Sequence, residues 1–170
     1  MTEPAQLPAK QPVSALLAGP YGHPFHPVLV TIPIGAWVSS VVLDVGARLT
    51  DHTAALALGA TWLLAIGLLG AVLAAAVGFL DFLGIPSGTR AHRLALLHMT
   101  LNLVATGLFL GALLLRLGHP DRTSTGALVL AILGLVGIGV SGMLGGELTF
   151  RYGVRVAAET DQAPGLVTRD

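Results

Sequence analysis

Four long apolar runs divide the chain, at residues 28–49, 54–83, 94–117 and 126–148, and short polar breaks separate them. The first run has 22 residues, which as a helix reaches roughly 33 Å against a hydrocarbon core of about 30 Å. Backbone N–H and C=O groups cannot go unpaired in lipid, so each run is predicted to be a helix. The breaks at 50–53, 84–93 and 118–125 are short, which makes successive helices antiparallel neighbours. The pattern predicts an all-α integral membrane protein, an up-down-up-down four-helix bundle with both termini on one side. Residues 1–20 read as a flexible tail, 21–155 as the four-span domain and 156–170 as a C-terminal tail.

Polar positions gather at one end of this pattern. His23, His26, Asp81, Arg90, His92, Arg93, His98, Glu147 and Arg151 all fall on the terminus-bearing side. His23 and His26 each precede a proline, which places both outside a regular helix, in a stiff collar at the mouth of the first span. With Arg93 at the boundary, His98 lies roughly 7–8 Å inside the membrane, and Asn102 is one turn below on the same face. An ionisable residue at that depth is a functional-site candidate. Asp81 and Glu147 have a structural role available, pairing with Arg90, Arg93 or Arg151 at helix C-termini that disfavour a carboxylate.

At the other end, Asp44 and Arg48 are spaced to pair, and Arg116 is placed to snorkel to the interface. His52 and His119 read as solvated loop residues, and Trp37 and Trp62 as packing residues. Small residues recur every four positions at Gly70, Ala74 and Gly78, at Gly107 and Gly111, and at Gly137, Ser141 and Gly145. Such rows let helices approach closely, within the bundle or across a homodimer. The histidine-led first and third spans, and the endings VGFLDF and LGGELTF, also suggest two related hairpins about an axis along the membrane normal. Chance placement of polar residues at helix ends explains the same pattern.

Composition supports a membrane location. Hydrophobic residues make up 54% of the 170 and charged residues 11%, with mean hydropathy +0.79, whereas a soluble domain carries about 25% charged. Nine basic residues balance nine acidic ones, which leaves no basic surface for nucleic acid. The chain has no cysteine, so disulfides, thiolate-bound iron–sulfur clusters, cysteine nucleophiles and covalent c-type haem are excluded. The N-terminus lacks the basic start and apolar core of a signal peptide and is expected to be retained. Six Lys and Arg fall on the terminus-bearing side and three on the other, so the positive-inside rule puts both termini in the cytoplasm.

The stretches GHPFHPVLVTIPIG, GFLDF, the arginine–histidine run leading to LLHMTLN, and GGELTFRYGV resemble the bacterial membrane-protein family called domain of unknown function 2231. The resemblance covers about residues 20–155 and implies a four-span protein of the bacterial inner membrane. Thr31 stands where relatives carry a further histidine. Some relatives are joined to Rieske-type or cytochrome domains, which implies a redox neighbourhood.

Three functional readings follow. The first is a b-type haem electron-transfer subunit working with quinone or a redox partner protein. His26 and His98 are its axial ligands, with His23, His92, Arg90, Arg93 and Asn102 around them and arginines available to the propionates. The second is a non-enzymatic anchor or partner subunit that docks another protein by its polar face. The third is a divalent metal site built from His23, His26, Asp81, His98 and Glu147. None assigns a catalytic residue, so an accessory role is expected over an enzyme. Four spans without a broken mid-membrane helix leave little room for a transporter.

Overall fold

The structure is a computed structural model and describes residues 8–12, 24–159 and 162–163. A short turn, Pro8–Lys10, is followed by helices α1 (His26–Leu29), α2 (Thr31–Leu49), α3 (Thr53–Leu83), α4 (Arg90–Leu114) and α5 (Thr125–Phe150). There is no strand among the described residues. Helix α1 and α2 form one span, His26–Leu49, and the chain has four helices long and apolar enough to cross a membrane. At most 28% of the residues in any apolar window are buried inside the bundle. Most of the apolar surface therefore faces outward, including Trp62, Leu69, Val72, Leu103, Val136 and Met143, as a bilayer environment requires.

Local chemistry sets the helix ends. Thr89 accepts a hydrogen bond from the His92 backbone N–H at 3.1 Å, and Ser124 one from Ala127 at 3.2 Å. These N-caps start α4 and α5. Helix α4 thus begins at Arg90, four residues before its apolar run. His26 lies inside a helix, contrary to the sequence expectation, because Pro27 occupies the first turn where no N–H is needed. At His26 the expected collar is therefore the first turn of the span. Pro33 has no N–H for the Leu29 carbonyl, and the chain is interrupted at Val30 between α1 and α2.

Close packing joins α2 to α3 and α4 to α5, while α1 and α2 meet α4 sparsely. The contacts run in opposite chain directions: His26 with Ala74 and Trp37 with Leu64, then His98 with Ser141. Each pair is an antiparallel hairpin. Between the hairpins the Trp37 indole stacks on Phe109, centroids 3.9 Å apart and planes 11° from parallel. Both rings are fully buried, with Leu64, Ala112, Ala127 and Ala131 around them.

Deeper along the same diagonal, Asp44 pairs with Arg116, and both are buried. Arg48 Nη1 joins the pair 3.3 Å from Asp44 Oδ1. Arg116 does not snorkel, because α4 ends at Leu114 and the following residues turn back over the bundle. Thr61 Oγ1, two turns inside α3, lies 2.9 Å from the Pro120 carbonyl. Trp62 also departs from expectation, facing outward instead of packing inside.

Removing one partner of a buried ion pair strands the other charge, which costs about 3–5 kcal/mol. Arg116→Met alone is expected to lower unfolding stability in detergent by that amount. The double substitution Asp44→Leu with Arg116→Met is expected to recover more than half of the loss. Denaturant titrations followed by circular dichroism measure both.

Candidate functional site

The two hairpins correspond at a set of packing positions. His26 and His98, Trp37 and Phe109, and Asp44 and Arg116 are each 72 positions apart, on the first span of each hairpin or, for Arg116, just past its end. On the second helices Gly67 and Gly134, Gly70 and Gly137, Ala74 and Ser141, and Gly78 and Gly145 are each 67 apart. The contacts repeat with the spacing. A Cβ at Gly67 would fall inside the Trp37 ring, and one at Gly134 would come 2.6 Å from the Phe109 ring. A Cβ at Gly78 would lie 2.7 Å from His26 Cε1, and one at Gly145 would lie 3.1 Å from His98 Cε1. Each aromatic or imidazole ring is seated on a glycine of its own hairpin.

Both histidines are anchored in the same way. His26 Nδ1–H donates to the Ala74 carbonyl at 2.9 Å, and His98 Nδ1–H to the Ser141 carbonyl at 2.8 Å. A carbonyl can only accept, so Nδ1 carries the proton in both rings and Nε2 carries the lone pair. His26 Nε2 has no hydrogen bond among the described residues. His98 Nε2 lies 3.1 Å from the Asn102 amide nitrogen, which also donates to the His98 carbonyl at 3.0 Å. Ser141 Oγ lies 2.9 Å from His98 Nδ1 and donates to the His98 carbonyl at 3.2 Å. The stacked rings and the ion pair bring residues 72 apart together between the hairpins, and the histidines are a third pair with that spacing.

Asp81 lies one turn beyond Gly78, the seat of His26, near the end of α3. Its expected partners were Arg90, Arg93 or Arg151, but Asp81 Oδ1 lies 3.0 Å from Arg155 Nε, and both side chains are largely buried. Arg155 is the one described non-glycine residue with positive φ, at 58°. That backbone conformation is uncommon for a side-chain-bearing residue and turns it back toward the bundle. Its N–H donates to the Ala9 carbonyl at 2.9 Å, so the first described turn and the C-terminal segment meet over the histidine end.

Other expected members are placed elsewhere. Glu147 pairs with Arg151 at 2.6 Å on the exposed side of α5, and this bond raises the Arg151 guanidinium above its ordinary pKa. Arg90 and Arg93 are exposed on the first turn of α4. His92 packs its ring 4.8 Å from Phe82 and lines a shallow notch of about 450 Å³ with Leu83, Ile85 and Ser87. A second depression lies by Met143 and Phe150, and neither includes His26 or His98. His23 lies outside the described residues. Among the described residues, no three His, Asp or Glu side chains are grouped to hold a metal ion.

The sequence showed the histidine end but not what holds the rings. The rows Gly70, Ala74, Gly78 and Gly137, Ser141, Gly145 were readable as close-packing positions, and Gly78 and Gly145 are the seats of the two imidazoles, whereas Gly67 and Gly134 under the aromatic rings fell outside them. The two carboxylates suggested the repeat, but Asp81 and Glu147 are 66 apart, one short of the spacing that relates their helices. Arg155 carried no signal in sequence, since its placement depends on a left-handed turn after α5.

Four apolar spans, paired into two hairpins with a histidine from each at one end, define a multi-pass helical membrane protein. The family model described as predicted membrane protein (DUF2231) matches residues 22–158, and the chain belongs to that family. No curated protein and no solved structure matches it.

Forcing a methyl group against the His26 ring is an overpacking change, which costs about 1–3 kcal/mol. Gly78→Ala is therefore expected to destabilise the protein and to release His26 from the Ala74 carbonyl. Gly145→Ala, with more room, is expected to cost less. Unfolding curves and the imidazole ¹⁵N resonances of the two variants check the order.

Proposed function

We propose that His26 and His98 are the axial ligands of a b-type haem between the hairpins, in a membrane electron-transfer subunit. One observation carries this reading: two imidazoles at equivalent positions, each with Nδ1–H bonded to a backbone carbonyl, so that Nε2 carries the lone pair, which in His98 accepts from the Asn102 amide. The bond to the carbonyl fixes tautomer and ring orientation, as it does for metal-bound histidines generally. Haem, when bound, supplies one-electron redox chemistry. The chain's own residues hold the rings, exclude water by the apolar layer below, and offer arginines at the mouth.

Neither surface depression lies between the rings, so a porphyrin has to part the hairpins at their histidine end. The Trp37–Phe109 stack holds the hairpins together further down. Arg90 and Arg93 are exposed to propionates, and the Asp81–Arg155 pair borders His26. The metal alternative has less support, because Glu147 is engaged with Arg151 on the outer face. Arg90, Arg93, Arg151 and Arg155 at this end favour the cytoplasmic face of a bacterial inner membrane. Quinone or a Rieske-type or cytochrome partner is the proposed exchange partner, on the resemblance alone.

The test is a dithionite-reduced minus oxidised absorption spectrum of the haem-supplemented protein in mild detergent. A sharp α-band and Soret shift are expected, abolished by His98→Ala and by His26→Ala while the helical circular dichroism is unchanged. A flat spectrum from folded wild-type protein would sink the haem reading and direct the search to metals or to a co-purifying protein.

A further inference from the structure

The segment after α5 crosses the end of the bundle from one hairpin to the other. It leaves the second hairpin at Phe150 and reaches α3 of the first, where Arg155 meets Asp81. Two left-handed residues make that path. Gly153, with φ 65°, turns the chain so that the Val154 N–H reaches back to the Leu148 carbonyl at 3.0 Å. Arg155, with φ 58°, turns it again, at a backbone cost that a side-chain-bearing residue does not escape. Between the turns Val154 packs on a cluster drawn from both hairpins, Phe82 and Ile85 at the end of α3 with Ala95 of α4 and Leu148 of α5. The N-terminal turn lies against the same segment. Ala9 joins the cluster and accepts from the Arg155 N–H at 2.9 Å, and Lys10 Nζ donates to the Ala157 carbonyl at 3.4 Å.

We propose that residues 151–157 are a strap closing the histidine end, latched by the Asp81–Arg155 ion pair, and that its release opens that end to the water side. The strap's contacts sit one turn beyond both imidazole seats. Asp81 is three residues past Gly78, Leu148 three past Gly145, and Ala95 three before His98. The largely buried ion pair offsets the left-handed turn at Arg155, so breaking it leaves the strained backbone without its compensating contact. The stacked rings and the Asp44–Arg116 pair join the hairpins further along and stay closed while the strap lifts. The strap does not depend on the haem reading, since it concerns how this end opens and not what enters.

The chain has no cysteine, so a single introduced thiol reports on one position. Ala95→Cys, under the strap, is expected to react slowly with a water-soluble maleimide in the detergent-solubilised full chain. Asp81→Asn and Arg155→Gln are each expected to speed that reaction by about ten- to hundredfold, between the effects of losing an exposed and a fully buried ion pair. The double variant is expected to react no faster than either single one, because both changes break the same latch. Ala112→Cys, in the core beside the stacked rings, is expected to stay unreactive in every background. Unchanged Ala95→Cys rates in both single variants, effects that multiply in the double, or Ala112→Cys reacting as fast as Ala95→Cys each overturn the proposal. The unsubstituted chain gives a second check by hydrogen exchange. The Val154 and Arg155 amides are expected to exchange together and well before the Ala112 amide, and exchange of all three at one rate overturns the proposal.

Discussion

A ring seated on a glycine is the contact from which the rest of the bundle takes its spacing. Trp37 lies over Gly67 and Phe109 over Gly134, so close that any side chain at either glycine would occupy the ring's place. That approach brings each hairpin's helices together and pushes both rings into the middle, where they meet face to face. In lipid there is no hydrophobic drive between helices, and such van der Waals fit carries the association. The histidine tier follows the same rule one level up, with an imidazole replacing the benzenoid ring. The site is therefore a variant of the packing that builds the fold.

The repeated plan gives the histidine end a particular character. Equivalent backbone carbonyls fix both rings in one tautomer, while side chains that are not equivalent tune each ring separately. Ala74 and Val30 leave His26 simply placed. Ser141 and Asn102 surround His98 with three polar groups. A symmetric frame with unlike surroundings is a simple way to make two histidines behave differently.

Hydropathy located the four spans because it reports what each residue touches on average, and lipid covers most of this chain. Pair identities were harder to read. Asp44 and Arg48 were legible because their spacing lies within one helix. Arg116 was not, since its burial depends on α4 stopping at Leu114 and on the turn that brings Pro120 to Thr61. Proline beside His26 argued against a helix there, and the first-turn exception prevailed. Arg155 reaches Asp81 through a turn that no apolar period encodes. What escaped the sequence was set by chain reversals between helices, where local pattern gives no measure of distance.

The lowest tier, Asp44 opposite Arg116, departs from the repeat in sign. Two copies of the first half would confront two carboxylates at that depth, and two copies of the second half would confront two guanidiniums. Like charges so placed, away from water, repel strongly. With position 44 acidic and 116 basic, each hairpin is matched in charge to the other and not to a copy of itself.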